Sequence, residues 1–159
     1  MNTFRKTAAC LMAVAMAFTA TQAAADESVA RRLDARGIKY EVDADGDYKV
    51  TYNYEKEGRT QLVFVSGRTE EIGEFRVREV FAPAARIESD GVDGARALKL
   101  MAHSRQLKLG AWEILGDVLY LVIKLPDNLS AEQLEQAMDI AAETADDMEI
   151  EISGDADNL

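Results

Sequence analysis

The sequence predicts an α+β domain: one antiparallel sheet with helices packed on one face, in the order helix, three to four strands, helix, two strands, helix. Three observations predict it. Between Ile38 and Phe81, apolar residues alternate with polar ones and are interrupted by short Asp- and Gly-rich turns, the pattern of a meander of half-buried strands. Leu107 to Leu125 reads as a hairpin turning at Gly116-Asp117, with an almost wholly apolar second arm from Val118 to Ile123. From Leu134 onward the apolar period becomes helical. Strands joined by short turns are antiparallel, so helices gather on one face and the other meets water or a partner.

The first helix is expected over Asp26 to Arg36, with Val29, Ala30 and Leu33 on one side and Gly37 placed to end it. Ile38, Tyr40 and Val42 then alternate with Lys39 and Glu41, and the run Asp43 to Asp47 makes a turn. Tyr48, Val50, Tyr52 and Tyr54 resume the alternation. Their shared face is either core or, if it points outward, an amphipathic patch of the kind interfaces favour. A turn at Glu55 to Gly58 leads to a strand over Thr60 to Val65, and Ser66-Gly67-Arg68 leads toward Phe75 to Phe81. Pro83 and the polar stretch Glu88 to Gly91 are expected to break the sheet.

Val92 to Gln106 is the second helix, with Ala97, Leu98, Met101 and Ala102 as its expected apolar stripe. It feeds the hairpin, where Trp112 and Ile114 point one way and Ala111 and Glu113 the other, so Trp112 is expected to anchor the core. After Pro126, Ser130 with Gln133 three residues on forms a capping-box pattern that opens the third helix. Leu134, Met138, Ala141, Ala145, Met148 and Ile152 recur at helical spacing until Gly154. Met148, Ile150 and Ile152 also admit a final strand, but the unbroken spacing favours the helix. Met is soft and adaptable, so Met138 and Met148 join Tyr52 and Tyr54 as candidate interface residues if any of them is exposed.

The first residues have the three parts of a secretory signal: Arg5 and Lys6, an apolar run from Thr7 to Phe18, then Ala23-Ala24-Ala25 before Asp26. Cleavage is expected after Ala25, because the apolar run falls short of the ~20 residues that span a bilayer. Cys10 follows the basic pair too closely to be a lipidated cysteine. It is also the sole cysteine, so the mature chain is expected to hold no disulfide and no thiolate site. The expected organisation is a cleaved signal over 1–25, one domain over 26–154 and a polar tail over 155–159, in a periplasmic or secreted protein. Removing Arg5 and Lys6 from the 18 basic residues leaves 16 against 29 acidic, a net charge of −13. Such a field repels nucleic acid and anionic membranes.

Several stretches resemble the YbjN-like proteins: Arg59-Thr-Gln61-Leu-Val63-Phe-Val65, Leu107-Lys-Leu-Gly110-Ala-Trp112-Glu, Lys124-Leu-Pro126 and Ala145-Asp146-Asp147-Met148-Glu149. The resemblance covers most of the mature chain and rests on packing and turn patterns. It implies the fold of type III secretion chaperones, a twisted antiparallel sheet with helices against it, often dimeric. It implies no catalytic residues. The family often carries Asn where this chain has His103 or Ser104, so no role is carried over to that position.

The residues offer little for catalysis. Asp43, Asp45 and Asp47 match the first ligands of a calcium loop, but the sixth and twelfth positions are Tyr48 and Tyr54 rather than Gly and Glu. His103 and Ser104 are neighbours on a helix and diverge by about 100°, so they cannot act as base and nucleophile. Ser66 lacks the flanking pattern of a nucleophile elbow. Glu70-Glu71 and Asp146-Asp147 are adjacent pairs that diverge rather than face a substrate. No enzyme, cofactor or metal is expected. Two functional readings remain: a polypeptide-binding, chaperone-like protein that binds itself, as a homodimer, or another chain; or a sensor of a small ligand or cation.

Overall fold

The computed structural model describes residues 25–154 and residue 159; the signal expected over 1–25, save its last residue, and most of the expected tail lie outside the described residues. The chain runs α1 (Glu27–Ala35), β1 (Glu41–Val42), β2 (Tyr48–Tyr54), β3 (Arg59–Val65), β4 (Glu70–Ile72), β5 (Phe75–Arg86), α2 (Gly94–Ser104), β6 (Ala111–Leu115), β7 (Val118–Pro126) and α3 (Ala131–Ser153). It is an α+β fold with a seven-stranded antiparallel sheet in the order β1-β2-β3-β5-β7-β6, and β4 pairs beside β5. The third helix lies across β3, β5 and β7, the first packs on the third, and the second packs on β6.

Local chemistry sets most of the boundaries. The Asp26 carboxylate accepts the Ser28 N–H at 2.8 Å and caps α1, and Ser130 and Gln133 complete a reciprocal capping box on α3. The third helix continues to Ser153, so Met148, Ile150 and Ile152 are helical. In the turn between β1 and β2, the Asp43 carboxylate accepts from the N–H groups of Asp45 and Asp47, the Asx geometry that suits an aspartate at the head of a turn. Asp47 Oδ1 accepts from Gly67 N–H at 2.8 Å. A Cβ on Gly67 would lie 1.8 Å from the Gly46 carbonyl oxygen, so the two loops meet only because residue 67 has no side chain.

Three sequence expectations are corrected. The run from Ile38 pairs only at Glu41–Val42, and Glu70–Ile72 is a short strand that the pattern did not reveal. Pro83 does not end the sheet: β5 continues to Arg86 against β7, with a register shift between Pro83 and Ala85. The proline instead limits pairing on its other side. The β3–β5 ladder holds only Phe64↔Phe81 and Val65↔Val80, because continued pairing would place Leu62 beside a residue with no N–H. Gln61 closes the gap by donating from Nε2 to the Pro83 carbonyl at 2.8 Å.

The third correction concerns α2. Leu100 is its buried side chain, whereas Leu98 and Met101 are each 68% exposed and Ala102 is exposed too. Trp112 fixes the rotation of the helix. Its indole N–H donates to His103 Nδ1 at 3.0 Å and its backbone N–H donates to Ser104 Oγ at 3.0 Å, so the face bearing His103 and Ser104 turns inward. Trp112 is buried, as the pattern predicted. Ile114 shares its face but is 53% exposed at the sheet edge.

The core is sealed between the sheet and α3. Val50, Val63, Val80, Leu121 and Ile123 meet Leu134, Met138, Ala141 and Ala145, all buried in one cluster. Small residues at Ala82, Ala84, Ala137, Ala141 and Ala145 let helix and sheet approach closely.

Candidate functional site

The sequence-derived candidates lie on the covered side of the sheet. Met138 is wholly buried and Met148 is 7% exposed, so both belong to the seam between α3 and the sheet. Tyr52 and Tyr54 sit on the face of β2 that carries buried Tyr48 and Val50. The Tyr52 hydroxyl donates to Asp139 Oδ1 on α3 at 2.8 Å. Burial, then that bonded carboxylate, drives its pKa upward, while burial and the Asp146 and Glu143 carboxylates push Tyr54 up to about 12. None of the four forms an open apolar surface. The alternation of β2 could not decide this, because a period of two gives which residues share a face but not what covers it.

Two buried ion networks also lie on this side. Arg59 on β3 holds Asp146 and Glu149 of α3, each at 2.9 Å, so the polar end of the helix stripe is pinned to the sheet. Arg78 on β5, 2% exposed, joins Asp26 and Asp127 at 2.6 Å each and donates to the Ser66 carbonyl. Arg32 also reaches Asp127, at 3.1 Å. Burial raises Asp127, but the hydrogen bonds from Arg78 and Arg32 outweigh it and hold its pKa below the ordinary carboxylate value. Every charge in this second network has a partner, and its geometry is that of a clamp joining α1, β5 and the loop before α3.

The opposite face of the sheet has no helix over it among the described residues, and it is not uniformly polar. Phe64 on β3 stacks on Phe81 of β5 with ring centroids 5.2 Å apart and planes 9° apart. Phe81 meets Tyr120 of β7 edge-on at 5.8 Å and 78°. The register produces this ladder, since Phe64↔Phe81 and Phe81↔Val122 are direct partners. Val122 extends it, and Leu115, 75% exposed, and Ile114 stand at its edge. The ladder floors a trough of about 550 Å³, walled by Asp43, Asp45 and Asp47 on one side and Glu79 and Glu113 on another.

The walls are acidic. Lys124 bridges Glu113 at 2.6 Å and Glu79 at 3.7 Å, but among the described residues no Lys or Arg forms a salt bridge with the three aspartates. The Asp47 pKa is raised, by burial first and then by the charges of Asp43 and Asp45, against the lowering effects of the Gly67 N–H and the Arg68 charge. An apolar aromatic floor with carboxylate walls suits an apolar segment that carries positive charge.

The sequence held a signal for this trough. Strand β3 is apolar at both parities, Leu62 and Phe64 on one face and Val63 and Val65 on the other, as is β7 with Tyr120 and Val122 against Leu119 and Leu121. Strands of that kind need cover on both faces. Only the three-dimensional register brings their outer residues together.

Open spaces of about 490 Å³ and 410 Å³ flank the Asp127 clamp, but their linings are mostly charged or polar and lack an aromatic ladder. The space between α2 and α3, lined by His103, Leu100, Met148 and basic side chains, is about 180 Å³, below the usual range of small-molecule pockets. Among the described residues no group of three His, Cys, Asp or Glu side chains is arranged to hold a metal ion. His103 and Ser104 are both taken up in holding Trp112. Among the described residues no helix is long and apolar enough to cross a membrane. Compared with known proteins, the chain matches no family model and no curated protein.

Proposed function

We propose that the protein is an exported, non-enzymatic polypeptide-binding domain of the periplasm or extracellular space, chaperone-like or regulatory in role, and that the outer sheet face is its binding surface. The observation that carries this reading is the Phe64–Phe81–Tyr120 ladder on the sheet face without a helix, bordered by exposed Leu115. Aromatic side chains at the centre of a surface, rimmed by charge, are where binding energy concentrates. The resemblance to YbjN-like proteins, with their secretion-chaperone fold, supports the same reading.

The test is binding of a permanently unfolded, fluorescently labelled polypeptide of net positive charge, followed by anisotropy, with wild type and Leu115→Asp compared. Leu115 is so exposed that its replacement leaves the fold intact. Loss of binding by at least about tenfold, roughly 1.4 kcal/mol, is expected. Equal binding by both proteins, or none by either, rejects the outer face as the surface.

A further inference from the structure

The second helix is a basic island in an acidic chain. From Gly94 to Gly110 the sequence holds Arg96, Lys99, Arg105 and Lys108 and no Asp or Glu, although the whole chain has 29 acidic residues against 18 basic. The turn-by-turn geometry then sorts the side chains. Leu100, with Ala97 and Ser104, faces the protein, while Leu98, Met101, Ala95 and Ala102 face outward with Lys99 and Arg105 beside them. Two large apolar side chains, each 68% exposed and flanked by cations, form a surface complementary to something both apolar and anionic.

This chain carries such a surface. The trough on the outer sheet face has an aromatic floor and a cluster of three carboxylates at Asp43, Asp45 and Asp47, of which Asp47 also feels the Arg68 charge. The helix cannot reach its own trough, because Trp112, on the covered face of β6, holds it to the opposite side of the sheet. We propose that α2 of one copy docks in the trough of a second copy, with Leu98 and Met101 on the Phe64–Phe81–Tyr120 ladder and Lys99 and Arg105 toward the acidic walls. This rests on the trough being a polypeptide-binding surface and names the polypeptide as a second copy of the chain. It is a helix-in-groove contact with charge setting the register. A second copy fits better than an anionic membrane, because the trough sets a preformed aromatic floor for Leu98 and Met101 beside carboxylates for the cations, whereas the net charge of −11 opposes approach to either. The contact is head-to-face, so each docked pair keeps one free helix and one free trough and can add further copies or close into a ring.

Sedimentation velocity over a concentration series tests the docking, using two full-chain variants that alter only exposed residues. The helix variant is Leu98→Asp with Met101→Asp; the trough variant is Leu115→Lys with Asp45→Lys. Wild type is expected to associate with rising concentration, and less so as salt is raised. Each variant alone should stay monomeric. Mixed, they should form a one-to-one dimer and stop there, since the intact helix of one meets the intact trough of the other; the mixed affinity should exceed either self-affinity by at least about tenfold. Failure of the mixture to pair overturns the proposal. Association of the helix variant alone, lost in the trough variant, means that two sheet faces pair with each other; this refutes the docking of α2 and keeps the outer face as a binding surface. A monomeric wild type also refutes it, leaving the outer face to be judged by the unfolded-polypeptide assay. If wild type instead floats with phosphatidylglycerol vesicles and the helix variant does not, the occupant is a membrane and the proposal fails.

Discussion

Replacing Arg78 by methionine tests whether a buried charge clamp joins the first helix to the sheet. The guanidinium is 2% exposed, bonds Asp26 and Asp127 at 2.6 Å each, and donates to the Ser66 carbonyl. Removing one partner of a buried ion pair costs about 3–5 kcal/mol when the other is stranded. Here neither carboxylate is stranded: Asp127 keeps Arg32 at 3.1 Å and Arg76 at 3.6 Å, and Asp26 keeps the Ser28 N–H at 2.8 Å. The charge loss is therefore nearer 2 kcal/mol, and the Ser66 carbonyl left without its donor adds about 1 kcal/mol. For a domain of this size, about 3 kcal/mol lowers Tm by roughly 10 °C.

The pH dependence identifies the cause. The Ser28 backbone N–H, ahead of opposing burial, and then Arg78 hold Asp26 below its ordinary pKa, and Arg78 with Arg32 does the same for Asp127 against burial. A carboxylate whose folded pKa is depressed contributes stability above its unfolded pKa and loses it as pH falls through the folded value. The gap between wild type and Arg78→Met should be full at neutral pH and should close as pH drops below about 4. Thermal melts by circular dichroism from neutral to acid pH measure both. A variant within about 2 °C of wild type at neutral pH, or a gap that persists unchanged in acid, refutes the clamp.

Trp112→Ala should destabilise by about 3–5 kcal/mol, because it removes the buried ring and the two bonds that orient α2; chemical denaturation measures the loss. Met148→Glu places a charge in the α3 seam and should lower stability by about 3 kcal/mol or more, rather than act as a silent surface change; an unshifted melt would return Met148 to the surface. The tyrosine hydroxyls should respond with opposite signs. Tyr52→Phe breaks the bond to Asp139 and should cost about 1 kcal/mol, whereas Tyr54→Phe removes a buried hydroxyl with no hydrogen-bond partner and should be neutral or stabilising in urea titrations. Gly67→Ala should cost about 3 kcal/mol or more, since its Cβ collides with the Gly46 carbonyl and neither backbone can yield cheaply.

Much of the fold was legible in local chemistry. Asp26, Gly37, Ser130 and Gln133 mark helix ends through bonds made within a few residues, and the Gly116 turn fixes the hairpin. Features that depend on distant partners were not legible. The sequence of α2 is apolar on two sides, and only the bonds from Trp112 select Leu100 rather than Leu98 and Met101 for burial. Pro83 reads locally as a breaker, yet β7 supplies β5 with a ladder that a register shift can carry past it. The tyrosines of β2 share a face in any reading, but their cover by α3 follows from a helix whose Asp139 lies 87 residues beyond Tyr52.

The sequence by itself determined the class of fold, the order of the helices and longer strands, the buried role of Trp112 and the acidic charge, because periodicity, caps and turns act over one or two turns of chain. Tertiary structure decided which faces are open. The stacking of Phe64, Phe81 and Tyr120 comes from the register of three strands, and the outward turn of Leu98 and Met101 comes from a helix rotated by the hairpin it packs on. Both surfaces exist because burial is settled between elements far apart in sequence, and no local pattern encodes which side of a helix or sheet its partner will take.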